Sequence, residues 1–207
     1  MMTILFKKIN YLQLVLDLII VFIGVSLAFL FTNYQEQKKK DKDTEQLISF
    51  LKIGLQRYDV AFNGFYSYHE TYNRNFRNNL DNKIVPNINI VTFPAPAYPL
   101  DAFALLTKQG YRILNPEIYI SLIAYTNAME RLEYIEQKLV NTSEKFTELN
   151  NHNISPEAFY FEQNKWARLY LRYLEIRKDI IKELLDKSDE LKILLQEKYP
   201  VSSIEGK

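Results

Sequence analysis

Residues 14 to 31 are apolar or small apart from Asp17, and the charged run QEQKKKDKD begins at 35. With Tyr11 and Tyr34 as flanks the stretch covers about 24 residues, or roughly 36 Å of helix. A bilayer core needs about 20. The two tyrosines stand where interfacial aromatics usually stand, with lysines beyond them on both sides. The pattern predicts a short N-terminal tail (1–10), a transmembrane helix (11–34) and a charged juxtamembrane linker (35–43). A cleavable signal peptide is the rival, with Lys7 and Lys8 as its basic region and Ser26-Leu27-Ala28 as a cleavage site. The apolar run continues past Ala28 to Phe31, which opposes cleavage. A buried soluble helix would normally show a polar face, and 18–31 has none.

Beyond the linker the period changes. Ile48, Leu51, Leu55, Tyr58, Phe62, Phe65, His69, Tyr72 and Phe76 alternate at three and four residues, the seam of a helix packed against others. This predicts a long helix over 44–80. If the linker stays helical, span and seam form one rod; a break at KKKDKD is the alternative. Residues 81–99 carry Pro86, Pro94, Pro96 and Pro99 and read as a crossing loop with one short strand at INIV. LDAFALLTK (100–108) predicts a short helix, with Gly110 as a C-cap beyond it. Asn115-Pro116-Glu117 and Ser155-Pro156-Glu157 each place a capping side chain before a Pro at the first helical position. The helix after Asn115 carries a stripe of Ile118, Leu122, Tyr125, Met129, Leu132, Leu139 and Phe146. The helix after Ser155 carries Trp166, Leu169, Tyr173, Ile176, Ile180, Leu184, Leu191 and Leu194. The short polar turn NNHNIS makes these two antiparallel neighbours. The expected fold is therefore all-α: a transmembrane helix, then an elongated antiparallel helical bundle of three long helices plus a short one over 44–199, and a tail at 200–207.

Composition adds exclusions. A net charge of +1 draws the molecule to neither nucleic acid nor acidic substrates. The absence of cysteine rules out disulfides and thiolate metal sites, and with two histidines no metal or other cofactor is expected. The 15 Tyr and 13 Phe fit the seams of thin bundles or a contact surface. His69-Glu70 opens like a zinc-protease helix, but Asn73 stands where the second histidine is needed. His69 reads instead as a packed polar core residue, or alternatively as a pH-responsive one. Glu130, Glu133, Glu136 and Glu175 read as a solvated, ion-paired face. No catalytic constellation emerges.

In the span, Asp17 lies about one turn inside, where it reaches headgroups or meets a polar group on another membrane helix. Gly24 and Ala28 form a small-xxx-small pair that permits close helix approach. Asp17, Gly24 and Ala28 are thus the candidate membrane-partner contact. Lysines near 40 slightly favour a cytoplasmic C-terminal side by the charge rule, so residues alone leave topology open.

Asp17, Val21, Ile23, Gly24, Ala28, Asn33 and Tyr34 together resemble the N-terminal anchor of a family of uncharacterised small single-span bacterial membrane proteins. Asp17 stands for the family's more usual Glu and Tyr34 for its Trp. Tyr98, Leu100, Gly110 and Asn115, followed by an apolar helix with Tyr125, resemble the segment before the family's second long helix. The resemblance covers 17 to about 130. It implies a Gram-negative inner-membrane protein with its N-terminus inside and a periplasmic helical domain, and it brings no assigned activity.

The leading expectation is a non-enzymatic, membrane-anchored scaffold, adaptor or accessory subunit. Its partners would be the lipid bilayer and either further copies of itself or a larger membrane protein. The second is an extracytoplasmic sensor domain that binds a small ligand and signals through a membrane partner.

Overall fold

The structure, a computed structural model, describes residues 11–86, 88, 107–108, 110–149 and 155–200, with side chains from 16 onward. Three helices account for most of them: α1 (Tyr11–Asp81), α2 (Pro116–Glu148) and α3 (Pro156–Lys198). No strand occurs among the described residues. The chain divides into two compact units, Met1–Gln46 and Leu47–Lys207.

In the first unit, α1 holds one stretch long and apolar enough to cross a membrane, and none of that stretch is buried inside the chain. Leu18, Phe22 and Phe29 expose about two thirds or more of their surface (69%, 71% and 67%). An aqueous protein would have to cover such a run, since exposed apolar patches of that size mark contact surfaces or lipid. Helical hydrogen bonding continues through the charged linker without the break that KKKDKD allowed. Lys, Gln and Glu are good helix formers, and Gln37 donates to Asp41 Oδ1 at 2.8 Å one turn on.

In the second unit the later part of α1 supplies the expected 44–80 helix, and its seam shares one apolar core with α2 and α3. Ion pairs match rising positions on α2 to falling positions on α3: Glu117 with Lys198, Arg131 with Glu183, Glu136 with Arg177. The same order holds between α1 and α3, where Asp59 pairs with Lys192, Phe76 meets the Tyr170 ring, and Asn73 Nδ2 donates to the Leu174 carbonyl. The backbones of α2 and α3 approach most closely, whereas α1 reaches them through large aromatic side chains.

Helix ends follow their chemistry. Asn115 Oδ1 accepts from Glu117 N at 2.9 Å and Ser155 Oγ from Ala158 N at 3.3 Å, with Pro116 and Pro156 opening the helices. Each removes one of the orphan donors of a helix N-terminus. α1 ends in a Schellman turn that the sequence did not announce. Ile84 N donates to the Asn79 carbonyl and Lys83 N to that of Leu80, with Lys83 at φ 59°. A left-handed conformation costs a non-glycine residue roughly 1 kcal/mol. Lys83→Gly is therefore expected to raise Tm by about 2–4 °C in a chain of this size, measurable by thermal melting followed by circular dichroism.

Gly110 is not the C-cap that the sequence predicts. It lies in a helical turn without positive φ, and its carbonyl accepts from Ile113 N and Leu114 N. A Cβ there would come within 2.9 Å of Leu114 Cδ1, the tip of a flexible side chain that can shift aside. Of the predicted short helix, Thr107 and Lys108 are helical and 101–106 lie outside the described residues. Most of the 81–99 loop with its INIV strand, the NNHNI part of the turn, and both tails also lie outside them. Ile88 is described and buried in the core.

Candidate functional site

Two groups of residues carry the sequence-predicted sites. In the first unit, Gly24 and Ala28 follow Asp17 by seven and eleven positions, which at roughly 100° per residue keeps all three within about 40° of one helix face. All three are exposed, and a Cβ added to Gly24 would meet nothing within 4 Å. The face is open and small, flanked by exposed Val21, Ile20 and Phe31. Chemically it offers one carboxylate and a shallow strip where a second helix backbone could approach.

The second group is the seam. Leu51, Leu55, Tyr58, Phe62, His69 and Phe76 are buried, while Phe65 and Tyr72 are half-buried against the same core. Rings run along it in contact: Tyr58 stacks on Phe62 (5.8 Å between centroids), Tyr68 on Tyr72 (5.5 Å), and Phe76 meets Tyr170 across the helices (5.8 Å). Burial pushes the Tyr58 hydroxyl up to about 12, and the Tyr72 hydroxyl is raised by burial first and by Tyr68 second.

The stripe predicted on α3 holds at Ile180, Leu184 and Leu191, which are buried, and is corrected by about one position elsewhere. Trp166, Leu169, Tyr173, Ile176 and Leu194 are half-buried. The buried line is Ala167, Tyr170, Leu174, Arg177, Ile181, Leu184, Ser188, Leu191 and Leu195, an unbroken three-four alternation. Arg177 and Ser188 hide that line from any reading that follows apolar residues alone. Glu136 needs the same correction. It is not on a solvated face: its side chain is 23% exposed, and its Oε1 lies 2.6 Å from Nε of Arg177, which is fully buried. The position could have been found, since Glu136 falls four residues after Leu132 and three before Leu139 in the seam register of α2.

Three helices thus each contribute a polar group to a buried layer: His69 from α1, Glu136 from α2, Arg177 from α3. The Phe65 ring joins two of them. His69 lies 5.9 Å from its centroid and the Arg177 guanidinium carbon 5.4 Å. The Tyr68 and His69 rings meet in a T-shaped arrangement, 5.7 Å between centroids. Burial and the neighbouring Arg177 lower the His69 imidazole to about 4; Asn73 opposes and Lys178 assists weakly. Burial raises the Glu136 carboxyl in spite of Arg177, whose charge and hydrogen bonding pull it down. Desolvation dominates both groups, as expected for ionisable side chains inside a helical core.

A cleft of about 480 Å³ opens between α1 and α3, lined by Glu70, Arg74, Arg77, Glu175, Lys178 and Asp179 with Asn73 and Asn78. Arg77 and Glu175 pair across it. Small-molecule sites are mostly apolar and enclosed, and this mixed, open lining differs from them. Among the described residues no group of three or more His, Asp or Glu could hold a metal ion. No protein-family model, curated protein or solved structure matches the chain.

Proposed function

We propose that the chain is a single-pass, membrane-anchored helical scaffold or adaptor, an accessory subunit of a larger membrane complex with no reaction of its own. The observation that carries this reading is the division of labour within α1. One part exposes every large apolar side chain, and a later part buries an aromatic seam against α2 and α3. The first part suits lipid; the second suits an elongated antiparallel bundle whose outer faces are free to hold partners. The resemblance of the anchor residues to small Gram-negative envelope proteins supports an inner-membrane location with the bundle in the periplasm. Asp17, Gly24 and Ala28 form the face through which the span meets its neighbour. A carboxylate one turn inside a bilayer is costly unless water or a polar partner reaches it.

The test is the intact mass of the full-length protein extracted in mild detergent. The wild type is expected to be heavier than one chain, and Asp17→Asn is expected to lose the co-purifying partner. A bare single chain for the wild type would contradict the scaffold reading. Ligand-dependent thermal stabilisation of that single chain would establish the sensor reading instead.

A further inference from the structure

We infer that the layer of His69, Glu136 and Arg177 is an acid-sensitive latch, which holds α1 against α2 and α3 while His69 is neutral and releases it when His69 takes a proton. The geometry leaves no room for a second cation. His69 and Arg177 are both fully buried and both lie against the Phe65 ring. From α2, the Glu136 carboxylate is engaged with Arg177 at 2.6 Å. From α3, Lys178 adds positive charge near the imidazole. From α1 itself, Asn73 favours the protonated ring, and the Tyr68 ring lies T-shaped against it at 5.7 Å. A proton on His69 therefore sets a second buried cation close to Arg177, an arrangement that burial penalises strongly.

Release falls on α1 for two reasons. It carries the protonated ring, and its backbone stands farther from its neighbours than α2 and α3 stand from each other. The pair α2 and α3 keeps its own core and its ion pairs Arg131–Glu183 and Glu117–Lys198.

The direction with pH is set by which state binds protons. The closed state holds the His69 proton only near pH 4, whereas a hydrated ring holds it near 6.5. Between those values the open state binds more protons, so acid favours opening. From pH 7.5 to 5.0 the closed-to-open ratio falls roughly 30-fold. Glu136 acts in the opposite sense. Its carboxyl is raised in the closed state, so acid acting on Glu136 alone favours closing, and an acid-driven opening belongs to His69.

Amide hydrogen exchange of the full-length protein in lipid nanodiscs, corrected for intrinsic rates, tests this. Between pH 7.5 and 5.0 the wild type is expected to lose protection over residues 65–76, by at most about 30-fold, with protection of α2 and α3 kept. His69→Phe should show no such loss, or a slight gain. If His69→Phe does not fold, His69→Gln carries the same comparison. The latch is overturned by an unchanged wild type, by the same loss in the variants, or by a loss spread equally over all three helices.

Discussion

Glu136→Leu should destabilise the domain by about 3–5 kcal/mol, although it replaces a carboxylate with an apolar side chain at a seam position. The change removes the carboxylate paired with the Arg177 guanidinium, which is fully buried. Breaking one side of a buried ion pair costs that much because a desolvated charge is left uncompensated. The double variant Glu136→Leu/Arg177→Met should recover most of the loss, and it could exceed the wild type, since well-packed apolar side chains replace such pairs at little or no cost. Urea unfolding of the two variants and the wild type measures the difference. Equal destabilisation by the single and double changes would mean that an uncompensated Arg177 charge is not the source of the loss.

Phe62→Asp should abolish the folded domain. Phe62 is fully buried and stacked on Tyr58. Removing a buried Phe side chain alone costs about 3–5 kcal/mol, and an unpartnered carboxylate in its place adds several more. Together these approach the whole stability of an ordinary domain, about 5–15 kcal/mol. Val60→Asp, two residues earlier on the same turn, provides the contrast. Val60 is 75% exposed, so its change should stay within about 0.5 kcal/mol. Melting followed by circular dichroism separates the two, and a Phe62→Asp domain that melts like the wild type would remove the seam from the account. Phe65→Asp should be milder than Phe62→Asp, because Phe65 is only half-buried and a carboxylate there would face Arg177.

These two sites show where sequence reading succeeds and where it stops. The α1 seam could be read because each of its positions except His69 is apolar or aromatic, so period and composition agree. The caps at Asn115 and Ser155 could be read because their chemistry is local. The α3 seam could not be followed, because Arg177 and Ser188 occupy two of its positions and a search for apolar residues slides to the neighbouring line. Glu136 was within reach, because it falls in the seam register of α2 between Leu132 and Leu139, but a glutamate among Glu130, Glu133 and Lys138 looks solvated when charge is weighed before register. Lys83 ends α1 in a left-handed turn that usually calls for glycine, and no propensity scale marks it. Buried polar pairs and strained ends are set by tertiary neighbours, and local pattern carries little of that information. The span face is the reverse case: that Asp17, Gly24 and Ala28 share one side of α1 follows from spacing alone.

We propose that residues 11–34 hold this protein permanently in a membrane while the later helices fold outside it. Alkaline carbonate extraction of membranes from cells that make the full-length chain, followed by the intact mass of the retained protein, tests it most directly. The account predicts a chain that stays with the membrane and keeps residues 17–34. A chain released into the carbonate supernatant, or one cleaved after Ala28, would contradict it.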